Sequence, residues 1–413
     1  MRGAGLRQCS KCIPRHRGGN ATRTRLRRAD ILPAQTMAGN GAASRARIAL
    51  FLPTLDDGGA EHVMLQLGVS FMARGHDVDL VVGVPDGPIV SKVPPQLRLV
   101  DLGASRTTKS LPALVRYLRR ERPAALLSTL EHSNVLAVCA AWLARAQTRV
   151  VLREAAVVPA RNQLKGARPH VLHALMRGFY RPASAVVAVS HAVAKSVVEH
   201  LKLPAHQVHT IYNPIVTADL EDRASAPLPV DDPWFAPGAP PVVLAVGRLA
   251  PAKDYPTLLR AFAKVRAQRP ARLLILGEGN ERPALAALTQ QLALGDDVRM
   301  PGFEQNPLRY MRRATVFALA SVWEGLPGVL IQAMACGTRV IATDSPGGSR
   351  EVLQDGALGP LVPMGDADAL ARGIVGLLAD ADKGPARVQY PLDRFTERAA
   401  IDDYLRVLGV GVA

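Results

Sequence analysis

Arg248 and Lys253 are the first residues whose types and spacing could do chemistry. Gly247-Arg248-Leu249 closes an apolar run and Lys253-Asp254 follows in the same loop. Arginine offers a planar fork of donors and lysine a compact charge, a pairing suited to clamping two phosphates. On the pair alone, two solvated loop charges fit as well. Glu324 stands in Ser321-Val322-Trp323-Glu324-Gly325-Leu326-Pro327-Gly328, which runs into Val329–Gly337. Pro327 suits the first turn of a helix and Gly337 its C-terminal end. Glu324 therefore sits beside the unpaired N–H groups and positive dipole end of a helix, with Gln332 about two turns inside it. An acidic acceptor and an amide near an anion-friendly helix end suit the hydroxyls of a sugar next to a diphosphate.

Four further loops follow apolar runs. Leu55-Asp56-Asp57-Gly58-Gly59-Ala60-Glu61 leads into a helical stretch, where paired glycines let backbone approach an anion. Gly277-Glu278-Gly279 is a tight turn able to pass a flat base, and Pro301-Gly302-Phe303 offers an aromatic to line a base pocket or to plug the core. Thr343-Asp344-Ser345-Pro346-Gly347-Gly348 adds another glycine-rich loop.

The elements that must position these loops alternate. Strands are expected at Arg47–Leu55, Asp77–Val84, Leu97–Leu102, Ala124–Leu130, Arg149–Glu154, Ala185–Ser190 and Val208–Tyr212. Helices are expected between them at Ala60–Arg74, Leu111–Glu121, Asn134–Arg145 and His191–His200. A Pro-rich stretch, 215–241, reads as a linker. The alternation restarts with strands Val242–Arg248, Arg272–Leu276, Val298–Met300, Val316–Ala320 and Arg339–Thr343, among helices near Tyr255–Gln268, Glu281–Leu292 and Pro327–Ala335, followed by Ala367–Leu378 and Arg394–Val407. This grammar implies an α/β chain with two doubly wound parallel sheets facing a cleft. The expected domains are 45–214, 242–385 and a helical segment, 386–413, that crosses back to the first.

With 413 residues, 48% hydrophobic and 21% charged, the chain can bury two cores and is neither disordered nor a disulfide scaffold. The longest apolar candidate, Val135–Ala144, is too short to span a bilayer and reads as a buried helix. Net charge is +16, but residues 1–36 hold nine basic residues against Asp30 alone, half of that excess. Basicity is thus weak support for nucleic acid, and none is expected as partner. Residues 1–44 lack hydrophobic periodicity and a signal-type apolar core. They read as a basic tail outside the fold, with translation expected to begin at Met37. Cys9, Cys12 and His16 fall one ligand short of a zinc site, and Cys139 and Cys336 fit reduced thiols. No metal or cofactor is expected.

Taken in order, GRLxxxKD, GEG, PGF and EGLPxxLIxAMAxG, followed by SPGGSREVL at 345–353, resemble glycosyltransferase family 4 over roughly residues 47–409. The resemblance implies the GT-B fold, two Rossmann-like domains about a cleft, and transfer with retained anomeric configuration. It places Arg248 and Lys253 on the donor diphosphate. Glu324 would contact the transferred sugar, near the N–H groups of Gly325 and Leu326. Gly58 and Gly59 would face the diphosphate and acceptor, with Gly247, Gly277, Glu278 and Phe303 around the donor. His132, in Glu131-His132-Ser133-Asn134, falls where such enzymes carry a histidine near the sugar. One departure stands out: the family has a second Glu eight positions after the first, on the ribose hydroxyls, and here it is Gln332, which keeps an acceptor oxygen and adds a donor.

The expected partners are a UDP- or GDP-linked sugar donor and a saccharide or lipid-linked saccharide acceptor. The expected reaction is hexose transfer in cell-surface polysaccharide or glycolipid synthesis, in the cytoplasm. A nucleotide-sugar epimerase of this fold and a non-catalytic nucleotide-sugar-binding homologue are the alternatives. A nicotinamide-linked dehydrogenase is disfavoured, because the first glycine loop lacks G-x-G-x-x-G spacing. Two basic amphipathic stretches, Leu111–Pro123 and Arg161–Arg181, add an anionic membrane surface on the inner face of the cytoplasmic membrane as an expected partner.

Overall fold

The computed structural model describes residues 45–411 except 57, 86, 88, 160–162, 164–165, 230–231 and 385–386. The tail with Cys9, Cys12, His16 and Met37 lies outside the described residues, as do Asp57, Arg161, Leu164 and Lys165.

Seven strands form the first sheet: β1 (Arg47–Leu52), β2 (Asp77–Val82), β3 (Arg98–Asp101), β4 (Ala125–Thr129), β5 (Arg149–Glu154), β6 (Ala185–Ala188) and β7 (Val208–Thr210). Six form the second: β8 (Val242–Val246), β9 (Arg272–Leu276), β10 (Val298–Gly302), β11 (Val316–Leu319), β12 (Arg339–Thr343) and β13 (Leu361–Val362). All pairings are parallel, in the orders β3-β2-β1-β4-β5-β6-β7 and β10-β9-β8-β11-β12-β13. These are two Rossmann-like domains of the GT-B fold. In each, the chain starts mid-sheet, runs to one edge and jumps back. The order therefore reverses between β1 and β4, and again between β8 and β11. Loops leaving the carboxyl ends of those four strands diverge and leave a crevice, where ligands of such sheets bind. β13, two residues long, is too short to leave a period in the sequence.

Both faces of each sheet are covered, which the two-residue alternation requires. Ile48, Leu50 and Leu52 of β1 pack on one side, and Ala49 and Phe51 on the other. The helix Glu397–Leu408 leaves the second domain and buries Ile401, Tyr404, Leu405 and Leu408 against the first sheet. Its Asp402 accepts from Arg74 at 2.6 Å. The outgoing and returning passes of the chain are joined, since Ile215 N and Val216 N each donate to Phe395 O at 3.0 Å. The Pro-rich stretch is no free tether. It carries a helix, Leu220–Ser225, and buries Trp234, with Arg299 4.2 Å above its ring. The helix Glu131–Ala144 differs from a wholly buried one: Trp142 is 76% exposed.

Beneath the cleft, the end of β5 rests on buried polar groups. Arg153 donates to Thr129 Oγ1 at 3.0 Å and to Asn213 Oδ1 at 2.7 Å. Asn134 Nδ2 and Tyr180 Oη both donate to Glu154 Oε1. Burial, with Glu131 adding to it, pushes the Glu154 carboxyl up to about 7 against the pull of Tyr180, Asn134 and Arg153. The unfolded carboxyl loses its proton near 4.5, so between 4.5 and about 7 the folded state holds the extra proton and stability falls as pH rises. Glu154→Gln removes this linkage while keeping an acceptor oxygen. Its melting temperature relative to the parent should rise across that window and then level off. Parallel melts from pH 4.5 to 8 check this, and a pH-independent difference would contradict it.

Candidate active site

In the second domain, the loops after β8, β9 and β10 are stacked backbone on backbone. Gly247 N donates to Leu276 O at 2.9 Å, Leu249 N to Glu278 O at 2.8 Å and Gly277 N to Gly302 O at 2.8 Å. A Cβ on Gly277, whose φ is +148, would stand 2.0 Å from Gly247 O. Only glycine permits both that conformation and that approach. Tyr255, buried at the start of the next helix, donates to Gly247 O at 3.0 Å and packs beside Lys253 at the same turn.

Lys253 and Glu324 meet. Nζ lies 2.5 Å from Oε1, with both side chains largely shielded. Ser321 Oγ donates to the same oxygen at 2.7 Å. Two donors on Oε1 orient the carboxylate, while Oε2 and the remaining lysine protons keep their hydrogen-bonding capacity. The loop after β8 is thereby tied to the loop after β11, across the order reversal of the second sheet. The helix Gly328–Ala335 begins just beyond, with Pro327 before it and Leu326 buried. Gln332 is half-buried in its second turn.

Arg248 is exposed, yet its charge reaches the first domain. Burial, with Asp56 adding, raises the Glu61 carboxyl above the usual range, and Arg248 is among the groups that oppose this. Glu61 lies in the first turn of the helix Gly59–Ala73, capped by Gly58, whose carbonyl accepts from His62 N at 3.2 Å. Gly59 opens that helix with free space around it.

A tighter join runs through Gly325. A Cβ there would lie 1.8 Å from Ala155 O, just past β5. Ser190 Oγ donates to Gly325 O at 2.9 Å while capping the helix His191–Leu201 through Val193 N. At that same helix start, Glu351 accepts from His191 N at 3.0 Å and from Tyr212 Oη. The loop 321–328 is therefore clamped between the first domain and the Gly347-Gly348 turn, where Gly348 N donates to Gly325 O at 3.0 Å.

The structure thus gathers Gly247, Lys253, Glu324, Gly325, Leu326 and Gly277 at one rim, and faces Arg248 toward the Gly58 loop. His132 is exposed on the first turn after β4, next to Glu131. Glu278 forms a surface ion pair with Arg282 at 2.7 Å, which holds its carboxyl below the usual range. Phe303 is 61% exposed rather than plugging the core. Ser321 opens the loop quoted for Glu324 and Glu351 falls within the 345–353 motif, though spacing assigned neither a role; Tyr255 and Ser190 lie in segments that only folding brings here.

The chain is similar to known proteins in sequence and in fold. A family model for Glycosyltransferase Family 4 matches residues 57–219, and one for Glycosyl transferases group 1 matches 231–390. The chain is 26% identical over 345 residues to N-acetylgalactosamine-N,N'-diacetylbacillosaminyl-diphospho-undecaprenol 4-alpha-N-acetylgalactosaminyltransferase of Campylobacter jejuni, covering 81% of this chain and 90% of that protein. It is 31% identical over 194 residues to the lipopolysaccharide core biosynthesis glycosyltransferase LpsE of Rhizobium meliloti, covering 45% of this chain and 53% of that one. Among solved structures, HepE of Anabaena in complex with UDP and glucose superposes with a TM-score of 0.70 at 19% identity, over 88% of this chain and 99% of that one.

The Gly325 contact is directly testable. Gly325→Ala must push Ala155 and the loop apart. It should cost about 1–3 kcal/mol of stability and depress turnover through Glu324, read by denaturant unfolding and by rate measurement. Wild-type stability in the variant would show that the contact is not tight in solution.

Proposed function

This chain belongs to the GT-B glycosyltransferases of family 4, and we propose that it transfers a hexose, with retention, from a UDP- or GDP-linked sugar to a saccharide or lipid-linked saccharide. The observation that carries this reading is the Lys253–Glu324 pair, seated at the order reversal of the second sheet beside a helix N-terminus and opposite the Gly58 loop. Arg248 and Lys253 bind the diphosphate. As the bond between the sugar's anomeric carbon and the phosphate oxygen breaks, negative charge grows on the diphosphate. Lys253 and the N-terminal N–H groups of the Gly328–Ala335 helix stabilise it most where it is largest. Glu324, held through Oε1, turns Oε2 to a sugar hydroxyl. The acceptor hydroxyl attacks the anomeric carbon from the face the diphosphate leaves, and its proton passes to a departing phosphate oxygen. No side chain need become covalently attached. His132 stands toward the sugar, and Gly58 and Gly59 let the first domain approach diphosphate and acceptor.

The acceptor class is supported by the relatives. The Campylobacter protein is named for a diphospho-undecaprenol-linked acceptor, and LpsE for lipopolysaccharide core synthesis. A role in cell-surface polysaccharide or glycolipid synthesis follows. Among the described residues no helix is long and apolar enough to cross a membrane.

Two variants test the donor site. Lys253→Ala should lower turnover ~100- to 1,000-fold with an unchanged circular dichroism spectrum, measured as hydrolysis across a panel of UDP- and GDP-sugars. Near-normal turnover would refute the role. Gln332→Glu should tighten nucleoside diphosphate binding by roughly three- to tenfold, because a carboxylate accepts ribose hydroxyls more strongly than an amide. Calorimetric titration measures this, and a marked loss of affinity would mean that the amide donates to the nucleotide instead.

A further inference from the structure

Folding changes which apolar groups the first domain presents. The helix Leu111–Glu121, amphipathic and basic in sequence, turns Leu114, Tyr117 and Leu118 into the core. Its neighbour Glu131–Ala144 instead ends with Trp142 76% exposed and Leu143 42% exposed. On the next helix, Ala167–Phe179, Val171 and Leu175 stand outward one turn apart, at 58% and 40%.

Basic groups surround the Trp142 turn. Arg119 donates to Leu143 O at 2.8 Å. Arg119, Arg122 and Arg145 line a hollow of about 660 Å³ between the ends of the two helices, with no acidic side chain in its wall. Arg122 and Arg145 close their helices in left-handed conformations, with φ of 43° and 51°. Neither has a carboxylate partner among the described residues, whereas Arg120 and Arg47 are both paired with Glu121. Cations at helix C-termini complement the dipole, which explains an arginine at each end but not an indole left in water beside them. An amphipathic ring flanked by unneutralised guanidinium groups matches the boundary between acyl chains and anionic headgroups.

We propose that this face docks on an anionic phospholipid bilayer, with Trp142 and Leu143 entering the interface and Arg119, Arg122 and Arg145 taking headgroup phosphates. The surface argument stands without the donor chemistry. His132 begins the helix that Trp142 ends, ten residues or ~15 Å along the axis; the hollow precedes β4 and β5, so the docked face lies at the amino ends of the strands, away from the cleft at their carboxyl ends. Each guanidinium at an anionic surface strengthens partitioning by roughly fivefold.

The test is sedimentation of the full chain with phosphatidylcholine vesicles, with and without phosphatidylglycerol. Parallel variants are Trp142→Ala/Leu143→Ala and Arg122→Gln/Arg145→Gln. Brominated acyl chains report on the indole. The parent should sediment only with the anionic vesicles and lose Trp142 emission to the bromine. Each double variant should partition at least ~10-fold less, with melting temperature and sugar-nucleotide hydrolysis unchanged. Undiminished sedimentation of Trp142→Ala/Leu143→Ala overturns the proposal, whether another segment then carries the binding or the arginines act as a polyanion site without insertion. Vesicle binding that follows the proposal in a protein without transferase activity would instead remove the functional reading and leave the surface in place.

Discussion

Gly325 lies against the carbonyl of Ala155 at a distance that no other residue could keep without displacing one strand end or the other. The arrangement of the cleft depends on this contact. Ser190 fixes the same residue through its carbonyl, and Glu351 holds the start of the neighbouring helix with its carboxylate near two backbone and phenolic donors. Glu324 is the residue immediately before this clamp, so its carboxylate is positioned relative to both domains at once. The supporting groups are polar and short-range, and each has a hydrogen-bond partner, which gives a defined geometry.

The second constraint is topological. The candidate residues Gly58, His132, Lys253 and Glu324 sit on the loops after β1, β4, β8 and β11, the four strands that flank the two order reversals. Only there do consecutive crossovers leave in opposite directions and open a crevice. The glycines of the second domain then let successive loops stack closely, so that Lys253 reaches Glu324 although 71 residues separate them. The pair places one cation and one anion side by side, each with unspent hydrogen-bonding capacity. That arrangement suits a ligand that is anionic at the diphosphate and rich in hydroxyls at the sugar.

Beneath that crevice, β5 carries a buried carboxyl whose proton is favoured by desolvation, and beyond it the helical layer carries an indole in solvent near arginines without a carboxylate partner among the described residues. Both depart from the ordinary distribution of polar and apolar groups. The first supports the strand end that Gly325 touches, and the second faces away from the sheet.

Much of this molecule was legible in its sequence. The alternation of short β-branched runs with helical periods specified two parallel sheets, because that period dictates which residues can be buried on both faces. Local turn chemistry located the loops around Gly247, Gly277 and Gly325, since glycine and proline act through the backbone of their immediate neighbours. What spacing could not supply were contacts between segments far apart in the chain: Ser190 at the seam, Tyr255 under Gly247 and the docking of Trp234. The same limit explains the basic helix 111–121, whose apolar side was open to two uses. Periodicity shows that a helix has an apolar face, but only tertiary packing decides whether a core or a solvent boundary receives it.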